Sequence, residues 1–407
     1  MISSSIGKIV IVGGGVIGNS IAYFLARDYG KEVTIVDPVG IAPAASGKAG
    51  GFLALEWRDN EISMQRLHRR GFELHTQLAK DLDGSSKYGY RRLPSCMGVE
   101  VDLSLQEEEG KTKTSSSLAA HSTEKPKTRD NKKSNDDDDD LPLEWIDNED
   151  VVLDIWEMGD ESNVGQVHPK LFCETLFEYS QKTVGTKLHR GKVNKICFTS
   201  DNDEVSGVEC EDGSTLEADA VVLACGPWSE QLLNLFPLVA PRSSDQKMLG
   251  LKCSSMLLDC PDDDVLSEAI FLEGGEDEYE VYPRPDGTVY INGWTQDGVL
   301  VQEEPSNESI VDEANEYFQQ MTNQISSKLS DLKPHTLQSC YMPSTEKGDP
   351  IIGKLPHYKN AFFAAGHGPW GIQQGPSTGE AMAQIIMEGK AKTIPAIDDV
   401  FSPSKLF

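Results

Sequence analysis

No stretch of this 407-residue sequence is apolar for the length needed to cross a bilayer, so a membrane-spanning helix is not expected. Cations are scarce: 37 Lys and Arg stand against 66 Asp and Glu, a formal charge of −29 at pH 7. Such a surface repels nucleic-acid phosphates and anionic lipid headgroups, which argues against a nucleic-acid partner and for a solvated acidic exterior. The eight cysteines include no CxxC pair, and none is spaced from a histidine as metal ligands would be, so no metal site is expected. Too few residues precede the first apolar run for a signal peptide, and with unpaired thiols this predicts a reducing, cytoplasmic compartment. Phe407 follows Ser404, Lys405 and Leu406, and displaces a peroxisomal tripeptide from the end where it would be read. No internal repeat is visible.

What the chain does have begins at Lys8: KIVIVGGGVIGNSIAYFLARDYGKEVTIVD. Ile9 to Val12 reads as a buried parallel strand, and Gly13, Gly15 and Gly18 form GxGxxG. The following helix carries Ile17, Ile21, Ala22 and Leu25 on one face. Gly13 permits the tight turn, Gly15 lets backbone N–H groups approach a pyrophosphate, and Gly18 lets helix and strand pack closely, with the helix N-terminus supplying positive dipole. Asp37 closes the second strand 19 residues after Gly18, where a carboxylate can accept from a ribose hydroxyl. No arginine follows to receive a 2′-phosphate, which favours FAD or NAD over NADP.

Residues 104–140 contain almost no large apolar side chain and hold ten acids and seven bases, net −3. They cannot bury enough surface to offset ordering, and a disordered insertion is expected. The acidity therefore belongs to the folded parts. Beyond it, VVLDIWEMGD precedes a helix over 168–181 introduced by Pro169. KVNKICF, VSGVECEDG and TLEADAVVLACGPWSEQLL then read as strand, strand, and strand leading into helix. Residues 246–258 and 279–294 read as strands and 306–328 as an amphipathic helix. Residues 360–388 read as strand, glycine loop and final helix, the helix starting near Pro376 or Ser377 with Ser377 and Glu380 as a capping box.

Taken in order, these segments resemble the FAD-dependent amine and amino-acid oxidoreductases, the D-amino-acid oxidase-like family that includes glycine oxidase, sarcosine oxidase and D-amino-acid dehydrogenase. Besides the first glycine motif, AASGKAGGFLA at 44–54 looks like the family's second flavin loop, and ADAVVLACGPWS at 218–229 like its strand under the cofactor. YPRPDGTVYINGW at 282–294 looks like the substrate-domain strand pair, and AAGHGPWGIQQGPSTGEAMAQIIMEG at 364–389 like the C-terminal flavin loop and helix. The texture is nearest to fungal and plant members. The resemblance implies an α/β fold: a Rossmann-like FAD-binding domain, discontinuous over 1–80, 166–240 and 345–407, and an α+β substrate domain on a mixed sheet over 81–103, 141–165 and 241–344. It implies flavin contacts from Gly13, Gly14, Gly15, Val16, Ile17, Gly18 and Asp37, and from Ala45, Ser46, Gly47, Lys48, Gly50 and Gly51. Further contacts are implied from Val193, Gly226, Trp228 and Cys340, and from Gly366, Gly368, Gly371 and Ile372. In the family the last loop and its helix dipole face the flavin's pyrimidine end, where charge gathers on reduction.

The chain departs from the pattern at one point. Amino-acid oxidising relatives place an arginine in a GxRP element to grip the substrate carboxylate bidentately. Here SCYMPSTEKGDPIIG at 339–353 puts Met342 in that place. Arg284, in the preceding YPRPDG turn, is a candidate replacement or a surface cation. Cys340 aligns with the position of covalent flavin attachment in sarcosine-oxidase-like members, and equally reads as a small core residue. His367 could relay a proton or polarise substrate, or simply pack; Trp370 stands beside it in the glycine loop; Lys48 could be a cation beside the flavin or face solvent.

Three readings follow. The first is hydride removal from carbon next to nitrogen of a small-molecule amine or amino acid, giving an imine that hydrolyses. The second keeps FAD and changes the substrate to one without the amine. The third is an interaction protein: similar fungal proteins are associated with endosome-to-Golgi traffic, which implies a peripheral endosomal association and a protein partner bound through 104–140.

Overall fold

A computed structural model of the chain describes residues 6–102, 143, 145–239, 248–260, 268–274, 277–296, 301, 312–395 and 397–406. The insertion expected over 104–140 lies outside them, as does the start of the helix expected over 306–328.

Residues 9–12 are apolar on every side chain, as a strand covered on both faces must be, and β1 (Ile9–Val12) sits inside a six-stranded sheet. The order across it is β18 (Ile351–Lys354), β19 (Ala361–Ala365), β12 (Ala220–Leu223), β1, β2 (Val33–Asp37) and β8 (Lys187–Arg190). All neighbours are parallel except β18 and β19. Helix α1 (Val16–Tyr29) is buried from Val16 to Ala26, because α5 (Pro169–Val184) and α9 (Gly371–Glu388) pack beside it. The α1–α9 approach needs small residues: a Cβ on Gly375 would stand 2.7 Å from Val16 Cγ2, and one on Gly379 2.5 Å from Ser20. Strands β9 (Val193–Phe198), β10 (Val205–Cys210) and β11 (Thr215–Glu217) form an antiparallel meander, so the block leading to β12 splits into two strands.

The second large sheet is mixed and seven-stranded. Its order is β17 (Lys333–Ser344), β13 (Leu249–Asp259), β16 (Thr288–Gln296), β15 (Asp277–Pro283), β14 (Ala269–Gly274), β5 (Ser95–Val101) and β6 (Val152–Asp160). One face buries Val281, Val289 and Ile291 with Phe318 of α7 (Asp312–Ile325), and Tyr279 stacks on Tyr317 at 5.0 Å. By strand alternation Glu280, Tyr282 and Tyr290 lie on the other face, toward the first sheet. A small sheet of β3 (Phe52–Ala54), β7 (Val164–Gln166) and β4 (Arg91–Arg92) lies between, with α2 (Ala45–Lys48) just ahead of β3.

The final helix differs from expectation. It starts at Gly371, not near Pro376, and Pro376 lies inside it. Ser377 does not cap: its hydroxyl donates to the carbonyls of Leu67 and Gln374, and Glu380 takes Arg70 of α3 (Ile62–Leu82) in a two-point ion pair. A Ser-x-x-Glu spacing also occurs where a helix meets a neighbour, and here the neighbour α3 claims both side chains.

Candidate active site

The first glycine turn is built as the motif spacing requires. Gly13 has φ +114°, and a Cβ on Gly18 would stand 2.1 Å from the Gly13 carbonyl. Gly15 differs: a Cβ there would meet only the Ser46 side chain, Oγ at 3.1 Å and Cβ at 3.9 Å, and no backbone. No side chain caps α1 from within and no acid lies in its first turn, so its N–H groups and dipole remain directed outward. Ser46 of α2 reaches across, and the Val16 N–H donates to its hydroxyl at 2.9 Å. Asp37 accepts from the N–H groups of Gly14, Val39 and Gly40, each at 2.9 Å, while burial pushes its carboxyl pKa up. That places an acid at the end of β2, beside the turn, with one lone-pair site left for a hydroxyl. Val193 begins β9 and packs under this end of the sheet with Val36.

Two further turns repeat each other. β12 and β19 are neighbours, and each is followed by Gly-Pro-Trp in a 3-10 turn, Gly226–Trp228 and Gly368–Trp370. Both glycines hold φ +56°, and the nearest atom to a Cβ on either is 3.9 Å away: Pro343 Cγ for Gly226, Ser344 Oγ for Gly368. The end of β17 therefore lies against both turns, at the carboxyl ends of parallel strands where such sheets bind ligands. The sequence carries this tripeptide twice, once in each of two motifs more than 100 residues apart.

β17 is also pinned to the second glycine loop. Lys48 Nζ donates to the Ser339 carbonyl at 2.8 Å, and Gln338 Nε2 donates to the Lys48 carbonyl at 3.1 Å. Lys48 is thus half-buried beside Cys340 and does not simply face solvent. Cys340 is buried, 9% exposed, next to Tyr290. Met342 is half-buried on the same alternation of β17 as Gln338 and Cys340, so the residue standing for the family arginine belongs to this wall.

Arg284 is no surface cation: it is 4% exposed. Its Nη2 donates to the Ala49 carbonyl at 2.7 Å, and its guanidinium lies 4.8 Å from the centre of the Tyr290 ring. Gly50 lies against the Tyr282 and Tyr290 rings, where a Cβ would approach to 2.5 Å, and Gly51 against the Val167 carbonyl. Burial lowers the Arg284 pKa, partly offset by Tyr290 and Asp286.

His367 is buried, with Nε2 2.9 Å from Thr378 Oγ1, and desolvation lowers its pKa to about 3. It is a neutral ring that ties the glycine loop to α9. Trp370 lies edge-on to His68 at 4.7 Å and to Trp57 at 6.1 Å. Trp57, Phe52, Phe271 and Tyr282 continue this aromatic wall with centroids 4.9–5.7 Å apart. The sequence reading missed Phe52, Trp57, Phe271 and Glu280; only period-two alternation in EYEVYP hinted that Glu280 shares a face with Tyr282.

These features fit FAD on this structure's own terms: a Gly15 with no backbone near its Cβ position, a helix start with no acid in its first turn and a serine hydroxyl beside it, an acid at the end of β2, and two positive-φ glycine turns with no atom closer than 3.9 Å to a Cβ. The profile of the DAO family, described as FAD dependent oxidoreductase, matches residues 8–385. An oxidoreductase of Schizosaccharomyces pombe is 30% identical over 409 residues, covering 94% of each chain. Among solved structures, glycine oxidase from Geobacillus kaustophilus superposes with a TM-score of 0.71 at 20% identity, over 98% of this chain and 99% of that one. Iminodiacetate oxidase from Chelativorans gives 0.71 at 18%, over 97% and 98%. With family and fold in agreement along nearly the whole length, the chain belongs to the DAO family of FAD-dependent oxidoreductases.

Proposed function

We propose that the chain oxidises the C–N bond of a small amine that is not held by a carboxylate clamp at position 342. The observation that carries this reading is the end of β17, where Met342 stands in the wall that adjoins both Gly-Pro-Trp turns. An apolar thioether there offers no bidentate partner for a carboxylate. The neighbouring solved structures include a glycine oxidase and an iminodiacetate oxidase, which supports nitrogen-bearing substrates as the class.

FAD, when bound, supplies the acceptor for the hydride leaving carbon. The chain's own residues do the rest. Gly13 to Gly18, Ser46 and Asp37 would hold the dinucleotide, and the loop of Gly366, Gly368, Gly371 and Ile372 at the α9 N-terminus would supply backbone donors to it. Lys48 and Gln338 lock the second loop to β17, which ties the residues that would hold the cofactor to the wall at Met342. Trp57, Trp370, Phe52 and Phe271 exclude water, which protects a hydrolysable imine until it leaves. His367, neutral at physiological pH, positions the loop.

An absorption spectrum of the purified protein, native and after denaturation and filtration, tests cofactor and covalency at Cys340. Anaerobic addition of amines then tests the reaction: bleaching of the flavin band supports it, and a flavin that no amine reduces overturns it.

A further inference from the structure

Glu280 stands on β15 between two aromatic strands, directly opposite Phe271 of β14 and Asn292 of β16. By alternation it shares the flavin-side face with Tyr282, whose ring is nearly parallel to Phe52 (5.4 Å, 11°) and to Tyr290 (6.0 Å, 6°). The same rings press on Gly50 of the second glycine loop, so this face looks toward the cofactor side. Asn292 Nδ2 donates to Glu280 Oε2 at 3.3 Å, and the Tyr282 hydroxyl also bonds the carboxylate. Both partners are neutral. Among the described residues no ion pair reaches Glu280, and Arg284, the nearest buried cation in sequence, is engaged by the Ala49 carbonyl and the Tyr290 ring.

An acid in an enclosed site without a counter-ion is unfavourable unless a cation arrives or the group takes up a proton. The carboxylate favours positive charge, and the wall at Met342 offers nothing to an anion. We infer that Glu280, held by Asn292 and the Tyr282 hydroxyl, forms the subsite that receives the ammonium group of a cationic substrate. The inference rests on the amine reading above and adds to it: substrates carry a positive charge that is recognised, and no carboxylate is required. Burial raises the Glu280 pKa, with a further rise from Glu278 and opposing hydrogen bonds from Asn292 and Tyr282, and this is the direction that an arriving cation would reverse.

Three probes of nearly one shape separate charge from size: tetramethylammonium, neutral tert-butanol, and anionic pivalate. None has an oxidisable N–H, so binding to the FAD-loaded protein is read by calorimetry without turnover. The expected result is at least tenfold tighter binding of tetramethylammonium than of either other probe, with Glu280→Gln abolishing the preference while flavin content stays unchanged. Equal affinity for the three in the native protein, preference for pivalate, or no binding of tetramethylammonium overturns the inference, whatever the fate of the variant. The two readings fail separately. Amines that bleach the flavin without a cation preference leave the oxidase reading intact and remove the subsite; a Glu280-dependent cation preference with no bleaching does the reverse.

Discussion

His75 Nε2 lies 2.9 Å from the carbonyl of Ile372, the carbonyl in α9 that would ordinarily bond the N–H of residue 376. Residue 376 is proline and has no N–H. A carbonyl can only accept, so the imidazole carries its proton on Nε2 and fills the gap left in the helix ladder. Sequence alone marks Pro376 as a helix start; the structure keeps the helix running back to Gly371 because α3 provides the missing donor. His75→Leu therefore leaves a buried carbonyl unpaired, at a cost of about 1–3 kcal/mol. Thermal melts should show the loss, and Pro376→Ala in the same background should recover part of it. Full stability in the single variant would refute the assignment.

Three buried histidines give the fold an acid limit. Desolvation lowers the pKa of His68 and His367 to about 3 and of His75 to about 4, from an ordinary 6.5. Below pH 6.5 the unfolded chain binds protons that the folded chain refuses, so stability is complete above that value and falls as pH drops toward 4. Each group contributes up to about 1.4 kcal/mol per pH unit in that window. Asp37 and Glu280, whose pKa values are raised, act oppositely as they take up protons in the folded state. The melting temperature should decline between pH 6.5 and 4.5, less steeply in His367→Gln. A flat profile would contradict the burial of these rings.

The glycine motif divides into positions that bind and positions that fold. A Cβ on Gly15 meets only a side chain, Ser46, with Oγ at 3.1 Å, whereas one on Gly18 meets the backbone carbonyl of Gly13 at 2.1 Å. Gly15→Val should thus yield a folded protein without flavin, and Gly18→Val should fail to fold. Flavin absorbance per protein together with far-UV circular dichroism distinguishes them; a Gly15→Val protein with full flavin would sink the assignment of the first turn.

What could be read from the sequence was whatever rests on local chemistry. The β1–α1–β2 unit with Asp37 needs only backbone geometry and a helix N-terminus, and its residues lie within 30 of one another. The wall formed by Phe52, Trp57, Phe271 and Glu280 draws on segments more than 200 residues apart, and no spacing rule connects them. His367 and Arg284 looked reactive as residue types. Their partners Thr378 and Ala49 show how tertiary contacts decide what such side chains do.

The described residues on either side of 104–140 lead into adjoining strands. Val101 of β5 pairs with Val152 of β6, and the Asp102 N–H donates to the Val151 carbonyl at 2.8 Å. The chain around the insertion is therefore a strand-to-strand connection that a shorter loop can close, provided Leu143, Trp145 and Ile146, all buried, are retained. Deleting residues 106–138 should leave flavin content and melting temperature nearly unchanged. A deletion protein that loses flavin would make the segment part of the fold.

Arg284 gives the sharpest separation between holding a loop and holding a substrate. Its Nη2 is committed to the Ala49 carbonyl, and its guanidinium carbon lies 4.8 Å from the centre of the Tyr290 ring, so its removal releases the loop that carries Ser46 to Gly51. Arg284→Ala should therefore weaken FAD retention through loss of a charge-assisted hydrogen bond worth about 1.5–3 kcal/mol, roughly a ten- to hundredfold rise in the FAD dissociation constant. Substrate preference should change little once the variant is saturated with FAD. Had Arg284 replaced the clamp absent at Met342, the same variant would instead raise KM for a carboxylate-bearing amine by that factor and leave its amide analogue untouched. Titration of the apoprotein with FAD, followed by stopped-flow reduction with matched acid and amide, reads both quantities on one preparation. The loop role requires weaker FAD binding with parallel rates for the two substrates. A rise confined to the acid would return Arg284 to the substrate side.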